Sequence, residues 1–162
     1  MVREREYSPN QLKNTIEKGG IGVIANGPNT AEMCDFLGHV GFDAAFVDFE
    51  HGKVSWSELA DITRACELWG MSSVVRVNRL DEAQILRTLD QGASAVMVPH
   101  IITLEDARLA ASACKYPPTG VRGVAGSRRA YGVDDYFVKA NEEVQCIALI
   151  EDFAAIANLP EL

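Results

Sequence analysis

A short apolar run, a helix opened by a capping residue, and a glycine that closes it: this unit recurs along the chain and restricts its fold more than any other feature. Apolar runs at residues 21–25, 44–48, 73–77, 95–98 and 145–150 read as strands. Several carry consecutive rather than alternating apolar residues, the pattern of a strand covered on both faces, as in a parallel sheet. The helices between them announce their ends. Ser8 with Gln11 reads as a capping box, with Pro9 at the first helical position and Gly19 as the stop. Asn29 with Glu32 opens a second helix that puts Met33, Phe36, Leu37 and Val40 on one apolar face and ends at Gly41. Ser55 with Glu58 opens a third, with Leu59, Ile62, Cys66 and Trp69 inward and Gly70 after it. Asp81 with Gln84 opens a fourth, ended by Gly92, and Thr103 a fifth, stopped by Pro117 and Pro118. This is the grammar of βαβ units with right-handed crossovers.

Two architectures satisfy that grammar. At 162 residues, a five-stranded doubly wound sheet is complete. A (β/α)8 barrel takes about 250 residues, so this chain would hold only about five of its eight units. Length favours the first, and the residues at the strand ends favour the second.

Composition removes other classes. Apolar residues make up 48% of the chain, enough for a real core. The balance of 15 basic against 23 acidic residues, net −8, argues against a nucleic-acid partner, which needs a basic face. No apolar run approaches the ~20 residues that span a bilayer, and the opening Met-Val-Arg-Glu-Arg-Glu has no apolar signal region, so no membrane partner is expected. Cys34, Cys66, Cys114 and Cys146 are widely spaced, which fits a reducing cytoplasm better than a disulfide scaffold or zinc knuckle.

In parallel α/β folds, function gathers where strands end. Asn26 follows the first strand; Asp48, Glu50 and His51 follow the second; Arg76 ends the third; His100 follows the fourth; Glu151 ends the fifth. Five consecutive strands thus finish in polar or ionisable residues at one end of the sheet. Each has a plainer reading. His51 also reads as a loop histidine and His100, with no evident partner, as a structural one. Arg76, inside an apolar strand, needs an anion, either a structural carboxylate or a substrate. Glu151 reads as a solvated strand end or as a hard-cation ligand. The loop Arg-Gly-Val-Ala-Gly-Ser at 122–127 reads as a simple loop or as an anion-cradling nest. None of the five lysines, Lys13, Lys18, Lys53, Lys115 and Lys139, falls in an expected strand. Schiff-base chemistry needs a desolvated lysine, so aldol chemistry here is expected to use a metal.

Taken together, these residues resemble the HpcH/HpaI aldolases. Phe42-Asp43 leading to Val47-Asp48-Phe49-Glu50-His51-Gly52, then Val74-Val75-Arg76-Val77, Leu89-Asp90-Gln91-Gly92-Ala93 and Met97-Val98-Pro99 follow that family's order and spacing. So do Tyr116-Pro117-Pro118-Thr119-Gly120-Val121-Arg122-Gly123 and Ile150-Glu151 with Asn158-Leu159. The likeness runs from about residue 21 to the last. It implies the N-terminal portion of a (β/α)8 barrel, in one domain over residues 1–162, and metal-dependent cleavage or formation of 4-hydroxy-2-oxo acids through a pyruvate enolate. It implies a 2-oxo acid and an aldehyde as substrates and a homo-oligomer. Glu151 would be one ligand of Mg²⁺, Mn²⁺ or Co²⁺, which acts as a Lewis acid. Arg76 would face the developing oxyanion. His51 would be the general base. Asp90 matches the acid that raises that histidine's basicity; it precedes the fourth strand and so sits nominally at the far end of the barrel, from where it would act indirectly or across a subunit contact, and Asp48 is the alternative orienting acid.

The chain departs from the family in two ways. Leu149 stands where the family often has a substrate-contacting Gln. The second metal carboxylate is expected beyond residue 162, with strands six to eight. The chain is therefore expected to be a fragment whose open edges are covered by another chain, a swapped neighbour or a rearranged sheet. Three alternatives stand beside the aldolase: an inactive remnant of the same fold, a citryl- or malyl-type CoA-ester lyase of the same superfamily, and a doubly wound nucleotide-binding domain. The Glu50-His51-Gly52 motif argues against the second, and the single glycine in Ala25-Asn26-Gly27-Pro28-Asn29 against the third.

Overall fold

A computed structural model describes residues 3–162; Met1 and Val2 of the N-terminal stretch lie outside the described residues. Parallel strands β1 (Ile24–Asn26), β2 (Ala44–Asp48), β3 (Ser72–Arg76), β4 (Ala95–Val98) and β5 (Gln145–Ala148) lie side by side in chain order. Between and around them run α1 (Gln11–Glu17), α2 (Ala31–Val40), α3 (Trp56–Leu68), α4 (Glu82–Asp90), α5 (Leu104–Ala113), α6 (Tyr136–Glu143) and α7 (Phe153–Asn158). This order decides between the two architectures. A doubly wound sheet reverses its strand order at a switch point, which sends helices to both faces. Sequential order with crossovers of one hand stacks the helices on a single face, and that is the wall of a barrel.

Packing follows the alternation of strand side chains. Ala45, Val47, Val75, Val77, Val96 and Val98 point to the helices and join Leu59, Ile62, Cys66, Ile85, Leu89 and Ala110 in one large buried cluster. The opposite, inner face carries Ala44, Phe46, Val74, Ala95, Met97 and Ile147, and the helix that reaches it is α1, through Leu12. Inner residues are covered only in part: Ile24 is exposed, and Phe46, Met97 and Ile147 are half-buried. The expectation of strands covered on both faces therefore holds for the outer face and is incomplete on the inner one. β1 and β5 are also shorter than their apolar runs, because each is an edge with a neighbour on one side only.

The capping boxes at Ser55–Glu58 and Thr103–Asp106 form, and Asp81 caps α4. Two starts differ. Asn10, not Ser8, caps α1, because its side chain is held by distant groups: Oδ1 accepts from Ser72 Oγ at 2.7 Å, while Nδ2 donates to the Ser94 carbonyl at 3.2 Å and to Gln145 Oε1 at 3.1 Å. Thr30 rather than Asn29 caps α2, accepting from the Met33 N–H. That helix is also rotated from expectation. Cys34 is buried and Leu37 packs beside it, whereas Met33, Phe36 and Val40 are exposed. Trp69 lies over the helix, with its indole N–H on Asp35 at 2.9 Å, and a Cβ at Gly38 would strike it. Among the described residues, no helix is long and apolar enough to cross a membrane.

Candidate active site

Strand register assembles the site. β2 and β3 pair Ala44 with Ser72, Phe46 with Val74 and Asp48 with Arg76, so the last inward position of each strand is charged and the two are cross-strand neighbours. Arg76 grips Asp48 with both edges: Nε donates to Oδ1 at 2.9 Å and Nη2 to Oδ2 at 2.7 Å. Its Nη1 lies 3.0 Å from Glu50 Oε2. Of the five N–H donors of a guanidinium, two are hydrogen-bonded to Asp48, while Nη1 is in ion-pair range of Glu50. The Arg76 bond holds the Asp48 carboxyl below the usual carboxylate range, and the same bond raises the Arg76 pKa.

The turn after β2 is built on Asp48. Its Oδ1 accepts the N–H groups of Glu50 at 2.9 Å and His51 at 3.3 Å, an Asx turn that folds the chain back sharply. The turn is tight enough that a Cβ at Gly52 would sit 2.0 Å from the Asp48 carbonyl oxygen, so the position requires glycine. Glu50 is thereby turned in beside Arg76. His51 is turned out, 74% exposed, with Nε2 4.0 Å from Glu50 Oε2.

From β4 and β5 come His100, Glu151 and Asp152. The His100 ring has Nδ1 2.9 Å from Asp152 Oδ2 and Nε2 3.4 Å from Glu50 Oε1, and its backbone N–H donates to Glu151 Oε1 at 3.3 Å. The hydrogen bond to Asp152, followed by the charges of Asp152, Glu151 and Glu50, raises its pKa. His100 thus has partners, contrary to the expectation of a structural histidine with none. Four carboxylates, two imidazoles and one guanidinium share this strand end.

The other expected residues are placed as follows. Asp90 is the last residue of α4, at the opposite end of the sheet, where it accepts from Arg122 Nη2 at 2.8 Å. The structure does not bring it to His51. Leu149 continues the inward row of β5, its N–H on the Val98 carbonyl at 3.0 Å, and adds no polar group there. Lys115 corrects the reading of the lysines: it is a desolvated lysine, its pKa lowered by burial. Its Nζ is held by the carbonyls of Asn141 and Val144, and it follows α5, at the end of the fold away from this site. The 122–127 loop is mostly exposed around a buried Arg122.

Among the described residues, no three His, Cys, Asp or Glu side chains converge as a metal cage. The donor chemistry nonetheless fits a hard cation. Asp48 and Glu50 are committed to Arg76, whereas Glu151 and Asp152 have no guanidinium partner among the described residues. One or two carboxylates are what Mg²⁺ takes from a protein when waters and substrate fill its other positions. From the sequence, Glu50 and His100 stand at the strand ends without a role in the chemistry, and Asp152 is not singled out; its signal is adjacency to Glu151.

Residues 23–162 match the family model described as HpcH/HpaI aldolase/citrate lyase. A 2-dehydro-3,6-dideoxy-6-sulfogluconate aldolase from Pseudomonas putida is 42% identical over 154 residues, covering 93% of this chain and 59% of that protein. A hydroxypyruvate/pyruvate aldolase from Sagittula stellata is 34% identical over 136 residues, 82% of this chain and 54% of its own length. Among solved structures, the HpcH/HpaI aldolase from Desulfitobacterium hafniense superposes with a TM-score of 0.82 at 28% identity, over 91% of this chain and 60% of that one. The chain therefore spans a little over half the length of the relatives it matches.

Proposed function

Because this chain belongs to the HpcH/HpaI aldolase/citrate lyase family, we propose that its strand-end cluster serves a divalent-metal-assisted aldolase, which cleaves or forms 4-hydroxy-2-oxo acids through a pyruvate-type enolate. The observation that carries this reading is the in-register Asp48–Arg76 pair, whose guanidinium keeps N–H donors beyond the two that Asp48 takes, beside the carboxylate of Glu151, which has no guanidinium partner among the described residues. Glu151 would hold the ion, Mg²⁺, Mn²⁺ or Co²⁺. When bound, the ion supplies Lewis acidity to the keto and carboxylate oxygens of the 2-oxo acid.

The chain's own residues do the remainder. Arg76 is held by two hydrogen bonds to Asp48 and by the charge of Glu50, so its remaining N–H groups would be in place for the keto oxygen, where negative charge grows as a C–C or C–H bond breaks. Preorientation matters because no guanidinium has to move at the moment of reaction. His51 Nε2, at the exposed rim, takes the proton from the C4 hydroxyl as the C3–C4 bond breaks and delivers it to C3 of the enolate; in the synthetic direction it takes a methyl proton from pyruvate and delivers it to the new C4 oxygen. Asp48 orients His51 through the backbone, by gripping its N–H, and not through the ring. Leu149 leaves the inner wall beside the site apolar, which favours an aldehyde partner with little polar demand at that position. The half-buried inner face, with Phe46, Met97 and Ile147, suits coverage by further polypeptide or by another copy in a homo-oligomer. Four free thiols suit a cytoplasmic location.

The test is exchange of pyruvate methyl protons into D₂O, followed by NMR with Mg²⁺ and then with EDTA. It requires only proton removal and no knowledge of the aldehyde. Metal-dependent exchange lost in His51→Ala and in Glu151→Gln is the expected result. Exchange of the same rate in EDTA, or undiminished in both variants, would sink the reading.

A further inference from the structure

We infer that His100 is a positioning residue for the acidic strand end, and that it acts through its backbone as much as through its ring. For metal binding, the inference rests on the reading above. Three observations carry it.

The first is conformational. His100 has φ 56°, in the left-handed region that a non-glycine residue enters at a steric penalty. The side chain is 56% exposed, so burial does not compensate the strain. An exposed residue held in a strained conformation is a mark of function when its contacts converge on a site, and every polar contact of His100 does.

The second is what the conformation does to the backbone. In a regular strand, successive N–H groups point to opposite sides, so a neighbouring strand receives every other one. Here the N–H of His100 goes to Glu151 Oε1 at 3.3 Å and the N–H of Ile101 to the Leu149 carbonyl at 3.3 Å. Two consecutive amides thus turn toward the exit of β5. The left-handed residue breaks the alternation and frees one amide to orient a carboxylate.

The third is the ring. Nδ1 reaches Asp152 at 2.9 Å and Nε2 reaches Glu50 at 3.4 Å, so one imidazole spans from the β2 turn to the β5 exit. Glu50 is in turn bonded to Arg76. His100 therefore fixes Glu151 by its amide, and ties Asp152 to the Asp48–Arg76–Glu50 group by its side chain.

The two contributions separate by substitution in the full chain. His100→Gly keeps the left-handed backbone and the amide and deletes the ring. His100→Val deletes the ring and resists the conformation. Affinity for Mn²⁺ alone, from the EPR signal of the free ion, is expected to fall about tenfold or more in His100→Val and by a smaller factor in His100→Gly. In ¹⁵N–¹H spectra of the metal-free protein, the residue-100 amide is expected to shift on Glu151→Gln. If Glu151→Gln weakens Mn²⁺ binding but both His100 variants bind as wild type does, the positioning role is overturned and the metal reading stands. If Glu151→Gln leaves Mn²⁺ binding unchanged, the metal reading fails. The amide then decides alone: a shift keeps the positioning role, and no shift overturns it.

Discussion

The two ends of the sheet both carry polar side chains, and they differ in how fully those side chains are matched. At the end where strands begin, the almost fully buried side chains of Asn10 and Arg129 bond to neutral groups, the carbonyls of Ser94, Glu143, Ala93 and Ser8, the Ser72 hydroxyl and the Gln145 amide, and the carboxylates of Asp90 and Glu67 are each matched by a guanidinium, Arg122 and Arg128. The Tyr7 ring lies under the Arg129 guanidinium, and burial pushes its phenol up to about 12. At the end where strands finish, Asp48, Glu50, Glu151 and Asp152 crowd around Arg76 and His100, with His51 at the rim. Polar atoms at the first end satisfy backbone groups that the fold would otherwise bury unpaired, which is a stability device. Charges at the second end exceed what mutual pairing needs, and unbalanced charge in a partly desolvated place is the mark of a site. In barrels this polarity is the rule: the carboxyl end of the strands carries chemistry and the other end holds the fold.

Substitutions at the two ends are expected to report in different currencies. Arg76→Ala should lower metal-dependent pyruvate exchange by about 10²–10³-fold, the loss typical of one preorganised oxyanion donor, measured on samples that retain the wild-type circular dichroism spectrum. Undiminished exchange would place Arg76 with the structural polar groups and erase the contrast. Asn10→Ala should do the reverse. It deletes several buried hydrogen bonds and should lower stability by about 3 kcal/mol in urea unfolding, with exchange per folded molecule unchanged. A selective loss of exchange would mean that the two ends are coupled.

Gly52→Ala probes the joint between turn and site. A Cβ there meets the Asp48 carbonyl oxygen, so the turn must open. Overpacking of this kind typically costs about 1–3 kcal/mol. Opening also slackens the Asp48 bonds to the N–H groups of Glu50 and His51. A modest loss of stability with a disproportionate loss of exchange is expected. Equal losses would show that the turn shapes the fold and not the chemistry.

What could be read from the chain follows the range of the interactions. The caps Ser55, Asp81 and Thr103 were legible because a cap and its N–H lie within three residues. Asn10 was not: its partners Ser72, Ser94 and Gln145 are far off in sequence, and that network overrode the Ser8 box. The face of α2 was misread because an apolar helix offers overlapping stripes, and the choice of Cys34 over Phe36 belongs to α3 and Trp69. In the site, the strand ends put Asp48 and Arg76 at the same end of the sheet but leave the anion facing Arg76 open between a structural carboxylate and a substrate, because strand register is not written in the sequence. The left-handed turn at His100 has no local signature, since neither glycine nor asparagine marks it, so its reach to Asp152 and Glu50 stayed hidden. The separation of Asp90 from His51 within one chain was legible from topology alone, because a helix that leads into β4 must end at the N-terminal side of the sheet.

The smallest expected effect separates the two ends by pH. Asp48 has its folded-state pKa lowered, first by the Arg76 hydrogen bond and then by the N–H groups of Glu50 and His51. A carboxylate depressed on folding contributes stability that is fully present above its unfolded value of about 3.9 and is lost as pH falls through the lower, folded value. The stability difference between wild type and Asp48→Asn, from urea unfolding, should therefore hold constant from neutral pH down to about pH 5 and shrink only below about pH 4. Asn10 bonds through its side chain to hydroxyl, carbonyl and amide groups, none of which titrates in that window. The difference between wild type and Asn10→Ala should stay flat over the whole range. Two flat profiles would mean that Asp48 is held by shape and not by charge, and the strand-end cluster would then be no more electrostatic than the Asn10 network at the other end.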